Sequence, residues 1–535
     1  MRTKRILIIG GDSTGWMAAA YLNAALNNGG QQVADIALIE SPEAPRIGVG
    51  EATIPNANHL LEVVGIDERE FMIAVDGTFK QSIRYVNWLH NQHEHYHHPF
   101  SRYNLSPIDY SGLQWLQSDR SIPFMETVSA QPLICELGLS PKRINNQAFG
   151  MPLTYAFHMN ALKFADFLTR HSTARGVTHY RDHVIGVEMK PNGHIDAVRT
   201  KGDQRIEADL FIDCSGFTAL LIEKQLGVAF VDCSQWLLCN RAITMHVDYD
   251  HYYPGHVNPY TTATALSSGW VWEIPLQNTR SLGYVHSSDF ISEEDAEREL
   301  RAFESPHSNS LACRTVHFKV GRREKVWVGN CIAIGLAGGF IEPLESTGLY
   351  LSDLACVTLA EHFSDTDDYE AMAFRVNRII ANRFYEILDF INMHYCLTQR
   401  SDSDFWKEVR KPERINDRLK AKLDYWKIKP PSPSDFEDQF FPGQPDTLLT
   451  AGGWPGDHRA PIDTAGLWGH TSYEAILYGM DFLRNECDAW YGRDRPKTRL
   501  FRNILSAVTA AKQQLPLHDQ WLNNVLGMPQ YRKTN

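Results

Sequence analysis

The chain has 535 residues, of which 43% are hydrophobic and 22% charged; this ordinary globular composition can bury a sizeable core and build more than one structural region. A formal net charge of -12 argues against a dedicated nucleic-acid binder, which would carry a basic face, so no nucleic-acid partner is expected. No apolar run reaches the roughly 20 residues of a bilayer span, and nine cysteines scattered without a C-x-x-C pair argue against a zinc ribbon or dithiol site and suit the reduced thiols of a cytosol, so the expected location is cytoplasmic.

Met1–Arg5 followed by Ile6–Ile9 faintly resembles a signal peptide, but the glycines that follow make Arg5–Ile9 a first strand. Gly10-Gly11-Asp12-Ser13-Thr14-Gly15 then opens a helical pattern over Trp16–Ala25, and Asp35–Glu40 reads as a second strand ending in an acid. This is the dinucleotide-binding βαβ layout: the glycines let backbone approach a pyrophosphate at a helix N-terminus, and Glu40 accepts hydrogen bonds from a ribose. Asp12 stands where the fingerprint has its middle glycine, and a carboxylate there would crowd and repel phosphate. The glycine-punctuated run Arg46–Pro55, containing Gly48, Val49, Gly50, Glu51 and Ala52, reads as a backbone strap over a ligand.

Asp76–Trp88 alternates loosely and places Lys80, Ser82 and Arg84 on one strand face, where a lysine is ordinarily a solvated charge. Gln92–Phe100 holds His93, His95, His97 and His98. With no neighbouring cysteine and no H-E-x-x-H helix, it reads as a polar loop and not as a metal site. Leu210–Gly216 is an apolar strand ending in Asp and Gly. Thr261–Ile274 and Ser281–Ser287 read as a hairpin in a sheet region over about 230–330, with Trp270 and Trp272 on one strand face. Val326–Ile334 reads as a buried strand leading into Gly335–Tyr350, and Tyr350–His362 has helical spacing. Between them Glu345 adjoins Ser346 and Thr347, residues suited to capping a helix. The pattern stays largely helical to about Asp404, breaks at Pro430–Ser434, runs irregularly over 434–466, and is helical again from Tyr473 to about Leu526. The expected fold class is α/β, with a dinucleotide-binding module over 1–400 enclosing the sheet region and a mostly helical region over 401–535.

Over nearly its whole length the sequence resembles the flavin-dependent tryptophan halogenase family. The resemblance is carried by Gly10–Trp16, Gly48–Pro55, Lys80 in Gly-x-Phe-Lys, the motif Gly-Trp-x-Trp-x-Ile-Pro at Gly269–Pro275, and Glu342-Pro343-Leu344-Glu345-Ser346-Thr347-Gly348. It implies an FAD-binding, Rossmann-like, monooxygenase-like fold. It also implies an enzyme in which FADH2 from a separate flavin reductase, O2 and a halide ion (chloride or bromide) generate hypohalous acid. Gly10, Gly11, Ser13, Thr14, Gly15, Glu40, Gly48, Val49, Gly50, Glu51, Ala52 and Leu336 would contact FAD. Thr347 and Gly348 would hold the halide. Lys80 would receive the oxidant, either hydrogen-bonding it or carrying it as a chloramine. Glu345, opposite Lys80, would stabilise the attacked arene and take its proton, and Ser346 would bridge the flavin and substrate sides.

By the same resemblance His98, Phe100 and Trp468 would sandwich an indole. Family members acting on free tryptophan carry an adjacent tyrosine pair and a glutamate ahead of that tryptophan, whereas Ser434–Gly466 has no tyrosine. The expected substrate is therefore an indole or an indole-bearing small molecule. Two alternatives stay open: an FAD-dependent aromatic hydroxylase, and a flavin-binding protein without halogenation activity. A homodimer stays open as the assembly.

Overall fold

The computed structural model describes residues 3–30, 32–43, 48–101, 111–150, 152–249, 257–364, 366, 368–432, 435, 467–482 and 500–528. The chain divides into two compact units, each drawn from three segments. The first comprises Met1–Asp76, Met159–Cys233 and Phe318–Tyr385; the second comprises Gly77–His158, Ser234–His317 and Glu386–Asn535.

The first unit is built on a six-stranded sheet in the order Trp327–Val328, Cys331–Ala333, Leu210–Asp213, Lys4–Ile9, Ala34–Glu40, Thr178–Arg181. Its strands run parallel, except that the edge strand Trp327–Val328 is antiparallel to its neighbour. Near-continuous apolar runs such as Ile6–Ile9 suit strands buried on both faces. Leu7, Ile9, Ile39 and Phe211 form the core on one side with Ile195 and Val198 of a small antiparallel sheet. The apolar run Val326–Ile334, expected as one strand, is instead a tight hairpin. It turns at Gly329, whose φ of 54° lies in the left-handed region.

The second unit holds a seven-stranded sheet in the order Cys313–His317, Arg241–Asp248, Thr279–His286, Gly269–Pro275, Thr261–Ala265, Ser82–Val86, His95–Pro99. Only the Thr261–Ala265/Ser82–Val86 pairing is parallel. The expected hairpin is thus a three-stranded meander, because Leu266–Ser268 turns the chain inside Thr261–Ile274. Strand alternation sorts the residues. Val271 joins Ile243, Leu282 and Tyr284 under the helix Glu293–Glu304, while Trp270 and Trp272 share the other face, where Trp270 meets Trp88. Gly283 lies beneath the Trp272 indole, and a Cβ there would come within 2.0 Å of that ring.

Two expectations about the first strands of this sheet are corrected. Gln92–Phe100 is not a polar loop: His95–Pro99 is an edge strand paired antiparallel to Ser82–Val86. His97 is accommodated because its Nε2–H donates to Glu136 at 2.8 Å while its Nδ1 lies 2.9 Å from the Ser82 hydroxyl. Nor do Lys80, Ser82 and Arg84 share one strand. The chain breaks at Gln81, whose N–H donates to the Pro259 carbonyl at 2.8 Å, so Thr78–Lys80 and Ser82–Val86 enter different sheets.

Helices follow the expected pattern at Gly348–Glu361, Glu370–Cys396, Asp404–Glu408, His470–Gly479 and Leu500–Gln514. Except for Asp435, the irregular excursion of 434–466 lies outside the described residues, as do 483–499. Among the described residues no helix is long and apolar enough to cross a membrane, and eight cysteines are free.

Candidate functional site

In the first unit the glycine loop is fixed by backbone contacts that leave no room for side chains. Gly10 has φ 113°, and a Cβ on it would lie 2.2 Å from the Cys214 carbonyl oxygen, at the end of the Leu210–Asp213 strand. A Cβ on Gly15 would lie 1.9 Å from the carbonyl oxygen of Gly10, so the helix Ser13–Leu26 starts directly on the loop. Asp12 is the N-cap of that helix, and its carboxylate accepts the Ser13 N–H at 2.8 Å. The carboxylate thus has a structural partner at the position where the fingerprint has a glycine. Glu40 ends its strand against Gly11, where a Cβ would come within 2.1 Å of Glu40 Oε2, and its other oxygen accepts from His179 Nε2 at 2.8 Å. The sequence thus brings Gly10, Gly11, Ser13, Thr14, Gly15 and Glu40 together around one strand–helix junction. The Thr14 side chain packs on Gly335, which adds the turn bearing Leu336.

The strap residues follow a second path in this unit. Arg46 and Ile47 lie outside the described residues. Gly48 packs against Leu162, Val49 accepts the Ala161 N–H at 3.2 Å, and Gly50, Glu51 and Ala52 form a short strand. Just beyond, the Asn56 amide donates to Asp353 of the Gly348–Glu361 helix at 2.7 Å. Burial pushes the Asp353 carboxyl up to about 7, against the bond from Asn56, which favours the carboxylate. A cavity of about 20 Å³ lies beside Asp353, lined also by Thr53, Asn56, Leu60 and Tyr350. It has room for about one water and none for an aromatic ligand.

Glu345 ends a 3-10 turn, Pro343–Glu345, and is buried, as are Ser346 and Thr347. Ser346 has φ 58°, a left-handed conformation that is strained for a non-glycine residue by about 1 kcal/mol or more. It does not cap the next helix. Thr347 occupies the N-cap position of Gly348–Glu361 without a side-chain capping bond, and its buried hydroxyl has no hydrogen-bond partner. A Cβ on Gly348 would meet nothing within 4 Å. The 14-residue helix therefore starts beside open space and an unused hydroxyl, an arrangement that suits a bound anion.

In the second unit Lys80 is fully buried, contrary to the ordinary expectation for a strand lysine. Its Nζ lies 5.3 Å from the centre of the Phe100 ring, over the π face. His98 and Trp468 are both buried and both contact Phe390. The His98 ring is 5.6 Å from it, and the Trp468 indole stacks on it at 4.0 Å with 16° between planes. The Trp468 backbone N–H donates to the Glu386 carboxylate at 3.2 Å, and Glu386 and Phe390 lie four residues apart on one helix. Phe390 was not foreseen from the sequence: it sits in an apolar helical run, and nothing in the local pattern separates it from core.

The family model for tryptophan halogenases matches residues 5–493. The tryptophan 7-halogenase RebH of Lentzea aerocolonigenes is 34% identical over 498 residues, covering 90% of each chain. Among solved structures, a tryptophan halogenase from Shewanella frigidimarina superposes with a TM-score of 0.87 at 31% identity, covering 98% of each chain. Xcc4156, a flavin-dependent halogenase from Xanthomonas campestris, superposes with a TM-score of 0.84 at 28% identity, covering 99% of this chain and all of that one. The parallel sheet, the glycine loop and its acid form the FAD-binding Rossmann-type fold these relatives share. With the match running across nearly the whole length, the chain belongs to the tryptophan halogenase family of flavin-dependent enzymes.

Proposed function

We propose that the protein uses reduced FAD, O2 and chloride or bromide to halogenate an electron-rich arene, an indole or an indole-bearing small molecule. The observation that carries this reading is Lys80, a fully buried lysine with its ammonium over the Phe100 ring. Burying a lysine costs free energy, and ionisable groups buried in this way cluster at functional sites.

The residues present fit FAD: the loop at Gly10–Gly15 leaves room only for glycine at its tight points, and Glu40 lies directly against it. Gly10, Gly11, Ser13, Thr14 and Gly15 would hold the pyrophosphate, Glu40 the ribose, and Gly48–Ala52 with Leu336 the flavin end. When bound and reduced, FAD supplies with O2 the oxidising equivalents that convert halide to hypohalous acid. The unused Thr347 hydroxyl and the helix start at Gly348 support a halide site. Lys80 holds the oxidant and polarises its halogen. The arene carbon takes the halogen as the O–X bond breaks, the Lys80 ammonium protonates the departing hydroxide to water, and the Glu345 carboxylate stabilises the positive charge on the ring before accepting its proton, which returns to Lys80 through solvent. Ser346, in its strained conformation, fixes the backbone between Glu345 and Thr347.

His98, Phe100 and Trp468 form the aromatic walls, with residues 401–535 covering the substrate. The segment that would hold a tryptophan's amino-acid end, 434–466, has no tyrosine, which favours indoles without that end. A separate flavin reductase supplies FADH2, the setting is cytoplasmic, and a homodimer is a candidate assembly.

The assay combines FAD, a reductase, halide and an indole panel, read by mass spectrometry. Halide-dependent halogenated product is expected, and a hydroxylated product without halide would support an aromatic hydroxylase instead. Indole should turn over with higher kcat/KM than tryptophan; a clear preference for tryptophan would overturn the substrate assignment. Lys80→Ala should abolish arene halogenation with flavin still bound. Glu345→Gln should lower kcat by about 100-fold or more, within the range general base and electrostatic groups contribute, with an unchanged melting temperature.

A further inference from the structure

Lys80 ends a three-residue strand, Thr78–Lys80, paired antiparallel to Ala156–Asn160. So short a strand makes few ladder bonds of its own, and its neighbours fix where its residues sit. We propose that His158 and His518 are positioning residues for Lys80, two neutral imidazoles that grip the residues on its N-terminal side from separate parts of the chain. This rests on the reading of Lys80 as the residue that guides the oxidant.

The hydrogen-bond pattern fixes the Nδ1–H of both rings. The Thr78 hydroxyl lies 2.6 Å from the Pro275 carbonyl oxygen and 3.0 Å from His158 Nδ1. A carbonyl only accepts, so the hydroxyl gives it its one proton and takes the Nδ1–H of His158. In the neutral ring His158 Nε2, 2.9 Å from Thr261 Oγ1, accepts from that hydroxyl. Burial, and then the charge of Lys80, hold His158 well below the usual histidine range, in keeping with a neutral ring. His518 repeats the logic on Phe79. Its Nδ1 donates to the Val257 carbonyl at 2.9 Å, and its Nε2 accepts the Phe79 backbone N–H at 3.2 Å. A protonated His518 would set one N–H against another and lose that bond.

The surroundings reinforce the grip. The Phe79 ring packs edge-on against Trp521 at 4.5 Å and Tyr155 at 4.8 Å. Val257 is tied a second time by its N–H to the Asp519 carboxylate at 2.8 Å. Among the described residues, charged and titratable groups near the pair include Lys80, Asp519, Tyr155 and Lys142, whose ammonium lies 5.4 Å over the Tyr155 ring. Neutral imidazoles supply a donor and an acceptor each without setting a second positive charge beside Lys80.

The test compares variants in the complete system of FAD, reductase, bromide and indole, measuring halogenated indole and the hypobromite that escapes to a 1,3-diketone trap. His518→Leu should lower kcat for indole by about tenfold or more and raise the escaped fraction, with the KM for indole and the FAD affinity within about twofold of wild type. His518→Gln, whose side-chain oxygen can take the Phe79 N–H, should restore most of the coupling. Thr78→Val, which removes the hydroxyl His158 holds, should show the His518→Leu signature, and it decides the matter if His518→Leu does not fold. Lys80→Met is the reference. If it still halogenates indole, the Lys80 reading itself fails. If Lys80→Met is inactive while folded Thr78→Val or His518→Leu keeps wild-type coupling, the positioning role is overturned.

Discussion

Asp353 shows how one buried group ties stability to pH. Its carboxyl titrates at about 7 in the folded protein and at an ordinary 3.8 when exposed. Between those values the folded state holds a proton that the unfolded chain has released, so stability falls as pH rises from about 4 to 7 and is level above. The shift corresponds to at most about 4 kcal/mol. Asp353→Asn keeps an oxygen to accept the Asn56 N–H and removes the charge. It should flatten this part of the profile, read as denaturant midpoints at pH 4.5 and 8, with the larger gain at pH 8. The resemblance singles out Lys80, Glu345, His98 and Trp468 by residue type, and the structure adds that all four are buried. Environment was not legible in the sequence. A lysine reads as solvated wherever its neighbours in sequence are polar, and only long-range packing shows that Lys80 has no exposed surface. The left-handed Ser346 was hidden for a similar reason, since serine carries no signal for φ above zero.

At the scale of elements, hydrophobic periodicity found the strands of the βαβ unit and the Gly348–Glu361 helix, because each buries a regular stripe or run. It failed where a short turn sits inside an apolar run. Val326–Ile334 contains Gly329-Asn330, a hairpin dipeptide that the surrounding apolar residues masked. It failed again at His95–Pro99, whose histidines read as loop until Ser82, Glu136 and Phe390 are there to receive them. The paired tryptophans of Gly269–Pro275 carry a further constraint. The indole of Trp272 fills the space beside Gly283 across the strand pair, so Gly283→Ala should overpack the site and cost about 1–3 kcal/mol. Gly283→Ala combined with Trp272→Leu should recover part of that loss, and thermal melting of the single and double variants measures the coupling.

For the whole molecule, the motifs spread along the chain indicated the fold class, but the segment composition of the two units was not legible. The joins between segments carry no proline-rich or low-complexity linker, and one falls between Tyr385 and Glu386, inside the Glu370–Cys396 helix. Pattern methods find boundaries from composition, and here composition does not change. The first unit takes its third segment from Phe318–Tyr385, which supplies the Cys331–Ala333 strand and the Gly348–Glu361 helix. A chain ending at His317 should therefore bind no FAD and be cleaved rapidly by protease, measured by flavin fluorescence and limited proteolysis. The same threading governs birth at the ribosome. The N-terminal strands emerge first, yet Leu210–Asp213, which covers the open edge of Lys4–Ile9, arrives about 200 residues later, and its own neighbour Cys331–Ala333 later still. At the usual elongation rates of about 5–20 residues per second, the nascent sheet waits on the order of tens of seconds with an apolar edge uncovered. That interval sets the demand for chaperones during expression: slower translation lengthens the exposure, and lower temperature helps only where it weakens aggregation more than it slows elongation.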